Sequence, residues 1–259
     1  GRPLHPDGAD TRAARRLVTS WLAGDARADG LDLDPARTAA LLATVGVAVL
    51  PSFPVQDADE AVEVATRIGW PVALKTTVPA LRHRADLGGV RLDVEDEPEL
   101  RADVAQVLAL AAAHHDRSDG PPLEVQAMAP HGSACVVRSS EDPLFGPIIS
   151  FGLSGDASDL LGDVAYGVPP LTDVDVAELV RSARAAPRLF GYRGLPPLDV
   201  AALEDVIARV AVLADDLPEL RSLELNPVVV SERGAVVLGA RATLAHADRA
   251  DATRRLQRA

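Results

Sequence analysis

Basic side chains and two glycines follow the only lysine of the sequence. The segment PVALKTTVPALRHRADLGGVRLDV, residues 71–94, begins as a strand that ends at Lys75 and continues as a second apolar strand from Val90. Between them lie the basic residues 82–84 and the pair Gly88 and Gly89. Glycine lets a backbone approach a ligand closely, and a lysine ammonium binds phosphate. The pattern leaves two structures open, a lid over a phosphate group and an ordinary exposed hairpin.

A second pair of polar side chains lies near the end of the sequence. Glu224 and Asn226 stand two residues apart in the segment LELNP, which is typical of a strand. Side chains with this spacing on a strand point to the same face. Carboxylate and amide oxygens suit a hard cation such as Mg²⁺, whose other ligands would be phosphate and water. We therefore expect a Mg²⁺ site at these two residues.

Composition limits the classes of protein to which the chain can belong. Its 259 residues are 47% hydrophobic, 25% charged and 3% aromatic, which indicates a globular protein with a core of Ala, Val and Leu. The net charge of −12 argues against a nucleic acid as the main partner. The single cysteine, Cys135, excludes an intrachain disulfide and a cysteine zinc cluster, and it favours a cytoplasmic location.

The sequence also argues against a membrane partner. No apolar run is long enough to span a bilayer, and the N-terminus lacks the apolar segment of a signal peptide. The first residue is Gly1 rather than Met, and a polar stretch follows it. We therefore expect a piece of a longer polypeptide.

Helical and strand patterns alternate in the first half of the sequence, and strands dominate its centre. Asp34 and Asp57 each precede an apolar-periodic segment, which predicts that they cap helices. The predicted helices are 11–23, 34–46, 57–69, 97–114, 173–185 and 199–213. The predicted strands are 47–53, 71–75, 90–94, 123–128, 134–139, 147–152, 223–230 and 235–241. This order predicts an α/β or α+β chain with two lobes.

Five segments in this order resemble the ATP-grasp domain of ADP-forming acyl-CoA synthetases, the relatives of the succinyl-CoA synthetase β subunit. They are GWPVALK, HRADLGGVRL, VQAM, DPLFGPIISFGLSG and LELNP. The resemblance extends over about residues 31–245. It implies a two-lobed ATP-grasp fold with an N-terminal lobe at 31–122 and a C-terminal lobe at 123–245. Residues 1–30 would then be a linker with a helix, and residues 246–259 a polar tail.

The resemblance also implies a role for each candidate site residue, with ATP and Mg²⁺ as the ligands. The implied nucleotide-binding residues are Lys75, Arg84, Gly88, Gly89, Gln126, Ala127 and Met128. Backbone groups of the last three would face the adenine base. His83 would act in catalysis by relaying a phosphoryl group on a mobile loop, although a loop histidine is also often simply exposed. Asn226 would bind Mg²⁺, with Glu224 beside it.

The sequence departs from the family pattern at two expected carboxylates. The resemblance implies an aspartate, the second Mg²⁺ ligand, at the position of Gly239 and a glutamate at the position of Ala134, and the sequence has neither. An aspartate placed at 239 is expected to restore a ligand that faces Asn226. These losses leave open whether the chain is an active acid–thiol ligase.

Two functions from different classes are therefore considered. In the first, the chain is the MgATP-binding domain of an acyl-CoA synthetase that forms ADP, and it transfers phosphoryl towards acyl-CoA formation. In the second, it is a catalytically degenerate regulatory module of a protein lysine acetyltransferase. The expected partners are CoA-binding and ligase-like domains of the same polypeptide, and a GNAT acetyltransferase domain in the second case.

Overall fold

The computed structural model describes residues 1–24, 30–78, 81, 87–112 and 120–247. The helices in these ranges are α1 (Thr11–Leu22), α2 (Pro35–Ala43), α3 (Ala58–Ile68), α4 (Glu97–Ala111), α5 (Asp156–Leu161), α6 (Asp173–Ser182) and α7 (Val200–Asp216), and a 3₁₀ helix spans Ala186–Phe190. The strands are β1 (Leu31–Asp32), β2 (Ser52–Val55), β3 (Val72–Thr76), β4 (Val90–Val94), β5 (Leu123–Ala127), β6 (Ser133–Asp142), β7 (Gly146–Leu153), β8 (Ala165–Gly167), β9 (Leu220–Val230), β10 (Ala235–Val237) and β11 (Ala240–Leu244). The predicted mixture of helices and strands is confirmed.

Aspartate side chains begin α2 and α3, as the sequence predicts. The Asp34 carboxylate accepts a hydrogen bond from the Arg37 amide at 2.8 Å, and Asp57 accepts one from the Glu60 amide at 3.0 Å. Each bond satisfies an amide of the first helical turn that has no partner within the helix. Helix α3 ends at Gly69, whose φ of 92° few other residues adopt. The sequence pattern therefore determines both ends of α3.

Residues 50–129 form the smaller of two compact units. Its sheet has the strand order β2-β5-β3-β4, and every neighbouring pair is antiparallel. Helices α3 and α4 cover this sheet with a core that includes Leu74, Leu100 and Val125. The burial of these side chains fixes β3 and β5 side by side, and these two strands carry Lys75 and Gln126.

The larger unit combines residues 1–49 with the chain from Pro130 onward. Its antiparallel sheet has the order β1-β11-β9-β6-β7-β8, with β10 paired to β9. Side chains of α1, α2, α6 and α7 share one core with alternate strand residues such as Val137 and Leu223. The neighbouring residues Arg138 and Glu224 project to the opposite face, because side chains alternate along a strand. We call that opposite face the polar face.

The two units divide the chain differently from the predicted lobes. The predicted boundary at 122/123 separates β5 from the N-terminal lobe, yet β5 lies between β2 and β3 in the smaller sheet. Residues 1–30 are also more than a linker, because Val18 of α1 is 1% exposed in the core of the larger unit. Pairing partners and burial decide membership of a unit, whereas the prediction followed chain order.

Two predicted strands differ from the structure. The predicted strand 235–241 is divided between β10 and β11, with a break at Leu238 and Gly239, and another strand is displaced. The segment 47–53 was expected to be a single strand, but β2 is Ser52–Val55 and Val49 forms only an isolated bridge with Val237. The chain passes from the larger to the smaller unit between Val49 and Leu50, so the segment is shared between them. In the part of the chain that the structure describes, no helix combines the length and apolarity needed to cross a bilayer.

Candidate functional site

Lys75 lies near the end of β3 and is held by a buried glutamine. Its Nζ donates a hydrogen bond to Gln126 Oε1 at 2.5 Å. In the register of β3 and β5, Gln126 lies opposite Ala73, two residues from the partner of Lys75. The Gln126 side chain is 1% exposed, and its Nε2 donates to the Leu50 carbonyl at 2.8 Å. Gln126 therefore fixes the position of the ammonium group.

This role of Gln126 differs from the one expected from the sequence. The resemblance assigned the residue through its backbone, whereas its side chain makes the contact to Lys75. The signal was present in the sequence, because an amide side chain in the apolar strand LEVQA needs a buried partner. Only the register of β3 against β5 shows which partner it takes.

The Gly88–Gly89 pair packs tightly at the start of β4. Gly88 has a φ of +78°, and a Cβ at Gly89 would lie 2.2 Å from the Leu81 carbonyl oxygen. The Gly89 carbonyl accepts a hydrogen bond from the Thr76 amide at 2.9 Å, next to Lys75. Both glycines are therefore required by the backbone. The antiparallel pairing of β3 and β4 places the backbone of Gly89 next to that of Thr76. The approach of a phosphate to the two glycines stays a prediction.

The predicted phosphoryl-relay residue and one predicted phosphate-binding residue both lie in the connection between β3 and β4. His83 and Arg84 lie outside the described residues. Their roles stay predictions from the resemblance.

Ala127 and Met128 lie at the end of β5. Ala127 pairs with Val72, and both Ala127 and Met128 are half-buried. The Met128 sulfur accepts a hydrogen bond from the Asp93 amide at 3.5 Å, so the side chain lies against β4. Their contact with adenine stays a prediction.

Glu224 and Asn226 are neighbours on the polar face of the larger unit. Asn226 Nδ2 donates to Glu224 Oε1 at 3.3 Å, which confirms that the two side chains share a face. Glu224 Oε2 also forms an ion pair with Arg138 Nε at 2.6 Å. Burial opposes ionisation of Glu224, but the hydrogen bond and charge of Arg138, with help from Asn226 and Arg241, outweigh it and lower the pKa of the carboxyl.

Glu224 and Asn226 differ in how well each is suited to bind Mg²⁺. Asn226 offers an amide oxygen, a ligand that a hard cation accepts. Both oxygens of Glu224 are engaged by other side chains. Across the described residues there is no group of three or more His, Cys, Asp or Glu side chains that could hold a metal. Cation binding by Asn226 therefore stays a prediction, whereas the structure gives Glu224 an arginine as its partner.

At residue 239, where the second carboxylate is expected, the backbone of Asn226 leaves no room for a side chain. A Cβ at Gly239 would lie 2.5 Å from the Asn226 carbonyl oxygen, and the Asn226 amide donates to the Gly239 carbonyl at 2.9 Å. The expectation that an aspartate at 239 restores a ligand is wrong for this backbone, because its Cβ would displace Asn226. Ala134, the other departure, lies opposite Val229 in the sheet.

Comparison with known proteins identifies the fold. The profile of the ATP-grasp domain family matches residues 26–244. The β subunit of the ADP-forming acetate–CoA ligase I of Pyrococcus furiosus is 33% identical over 220 residues, which are 85% of this chain and 94% of that subunit. The ADP-forming acetate–CoA ligase I of Archaeoglobus fulgidus is 35% identical over 204 residues, 79% of this chain but 30% of that protein. The chain thus spans nearly all of one relative and under a third of the other.

Solved structures agree with this result. Acetyl-coenzyme A synthetase 1 of Ca. Korarchaeum cryptofilum, in complex with coenzyme A and Ca-AMPCP, matches with a TM-score of 0.75 and 27% identity, covering 90% of this chain and 100% of the matched chain. A second structure of that enzyme has a TM-score of 0.68 and 28% identity over the same shares. It contains Mg-AMPPCP and a phosphohistidine segment that points towards the nucleotide-binding site. This chain therefore belongs to the ATP-grasp domain family and is similar to the β subunits of ADP-forming acyl-CoA synthetases.

Proposed function

We propose that this chain is the nucleotide-binding part of an ADP-forming acyl-CoA synthetase, an acid–thiol ligase. It binds MgATP and passes the terminal phosphoryl group towards the formation of acyl-CoA. The observation that carries the proposal is the Lys75–Gln126 contact, because a buried amide holds the only lysine of the sequence at the end of a strand. A fixed ammonium on β3, with two required glycines leading into the paired strand β4, suits the phosphates of a nucleotide.

Each candidate residue has a task in this function. Lys75 binds a phosphate, and the backbone at Gly88 and Gly89 allows the phosphates to approach. The end of β5, from Gln126 to Met128, faces the adenine. Asn226 holds Mg²⁺, which neutralises charge on the phosphates when it is bound.

The phosphoryl acceptor is a histidine of the CoA-binding part. Its ring nitrogen attacks the terminal phosphorus, the bond to the bridging oxygen breaks, and ADP leaves. The support is the phosphohistidine segment in the related synthetase structure. In this function His83 and Arg84 take the roles that the resemblance implies, His83 as a phosphoryl relay and Arg84 as a phosphate contact.

The partners are CoA-binding and ligase-like regions, supplied by a second subunit or by the rest of a longer polypeptide. The support is that one relative is a β subunit and that the other is matched over only 30% of its length. The alternative function, a regulatory module of an acetyltransferase, has no support from these relatives, which are named as ligases.

The test is a calorimetric titration of the 259-residue chain with Mg-AMPPCP, which cannot transfer its terminal phosphoryl group. One nucleotide is expected to bind per chain, and ATP with Mg²⁺ is expected to compete with it. No detectable binding at millimolar nucleotide would contradict the proposal.

A further inference from the structure

The polar face of the larger unit carries a row of charged side chains that crosses three strands. Arg138 on β6 lies opposite Glu224 on β9, and Glu224 lies opposite Arg241 on β11. Directly opposed residues on neighbouring strands project to the same face of a sheet. Two guanidinium groups thus flank one carboxylate, which leaves one positive charge in excess. This local excess is notable in a chain whose net charge is −12.

The contact between Arg138 and Glu224 uses only one atom of the guanidinium group. Arg138 Nε donates to Glu224 Oε2 at 2.6 Å, and the Arg138 side chain is 44% exposed. Its two Nη groups make no hydrogen bond to any described residue. A guanidinium fixed at Nε with free Nη groups presents two donors to solvent. Phosphate oxygens accept such paired donors well.

Glu224 is better placed to hold arginine than to hold a metal ion. One of its oxygens accepts from Arg138 and the other accepts from Asn226. A cation bound by this carboxylate would have to displace both donors. It would also lie between the positive charges of Arg138 and Arg241, which would repel it.

We propose that Arg138 contacts a phosphate group of the bound nucleotide and that Glu224 is its positioning residue. Glu224 holds Nε so that the Nη groups face the ligand. The cation remains with the nucleotide phosphates and Asn226. This inference rests on the proposed function, since it names a further residue of this chain that would contact the phosphates of the nucleotide.

The first test is whether Arg138 acts on the phosphates. Calorimetry compares the affinity of the 259-residue chain and its Arg138→Gln variant for Mg-AMPPCP and for adenosine. The affinity of the variant for Mg-AMPPCP is expected to fall about tenfold or more, whereas its affinity for adenosine, which has no phosphate, stays the same. The control is Arg101→Gln, which removes an arginine paired with Glu97 at 2.8 Å on α4 and leaves both affinities unchanged.

The second test separates positioning from metal binding. Glu224→Gln is expected to weaken Mg-AMPPCP binding no more than Arg138→Gln does, and the double variant is expected to be no weaker than Arg138→Gln alone. The Mg²⁺ concentration that supports half-maximal nucleotide binding is expected to stay at its wild-type value in Glu224→Gln, because the carboxylate is not a ligand.

Two results would overturn the inference while leaving the proposed function intact. One is a wild-type affinity for Mg-AMPPCP in Arg138→Gln. The other is a higher Mg²⁺ requirement in Glu224→Gln, which would make that carboxylate a cation ligand. Failure of the wild-type chain to bind Mg-AMPPCP at all would overturn both the inference and the proposed function.

Discussion

Gly239 and Asn226 approach each other so closely that a Cβ at residue 239 would lie 2.5 Å from the Asn226 carbonyl oxygen. Asn226 is the proposed cation ligand, and its amide donates to the Gly239 carbonyl at 2.9 Å. The glycine therefore fixes the backbone of the site. The loss of the expected aspartate is coupled to the local structure, because an aspartate at residue 239 would force the Asn226 backbone to shift.

This contact predicts that Gly239→Ala is destabilising. The new methyl group would force β9 and the segment before β11 apart, and overpacking of this kind costs about 1–3 kcal/mol of unfolding free energy. Gly24→Ala is the matched control, because no atom lies within 4 Å of the Cβ that it adds. Urea unfolding measures both variants. Equal stabilities would show that the backbone at residue 239 adjusts freely.

The buried amide of Gln126 gives a second prediction. Gln126→Met keeps the approximate volume but removes an acceptor of Lys75 and the donor to the Leu50 carbonyl. A buried polar group that loses its partner costs about 1–3 kcal/mol, so the unfolding free energy should fall by this amount. Nucleotide affinity should fall as well, because the ammonium loses its support.

Gln106→Met provides the control for this variant. Gln106 is exposed on α4 and accepts a hydrogen bond from Arg91 at 3.2 Å. Its replacement is expected to change the unfolding free energy by less than about 0.5 kcal/mol. If Gln126→Met kept wild-type stability and nucleotide affinity, the account of Gln126 as the residue that positions Lys75 would be wrong.

Cys135 gives a prediction for alkaline pH. Burial raises the pKa of its thiol from 9.0 to about 12. An acid whose pKa is raised by folding contributes stability in full below its unfolded pKa, and this contribution is lost as the pH rises through the folded pKa. The unfolding free energy of the wild type should therefore fall more steeply between pH 9 and about 12 than that of Cys135→Ala. Urea unfolding measures both proteins across this pH range. If their unfolding free energies fell equally with rising pH, the account of Cys135 as a buried thiol would be wrong.

The sequence predicted the local features of the fold well. Asp34, Asp57 and Gly69 mark helix ends through side chains and dihedral angles that act within one turn. The assignment of β5 to the smaller sheet was missed, because sheet partners depend on contacts between distant segments. No local pattern in LEVQA indicates that this strand lies between β2 and β3.

The candidate site shows the same limit. Lys75, Gly88 and Gly89 were singled out from residue type and spacing, and the structure pairs the strand that carries Lys75 with the strand that follows the glycines. The partners that decide the chemistry were not predicted. Arg138 reaches Glu224 only through the pairing of β6 with β9, although the two residues are 86 positions apart in the sequence. Such a contact cannot be read from either segment alone.

The most direct measurement of the central claim uses the only lysine of the sequence. Reductive methylation with isotopically labelled formaldehyde labels Lys75 and the N-terminal amine, and it keeps the positive charge of the lysine. A Lys75→Arg variant assigns the two nuclear magnetic resonance signals. If Lys75 binds the phosphates, saturating Mg-AMPPCP shifts the Lys75 signal, adenosine leaves it in place, and the N-terminal signal does not move. A Lys75 signal that stays unchanged while calorimetry shows bound Mg-AMPPCP would contradict the account.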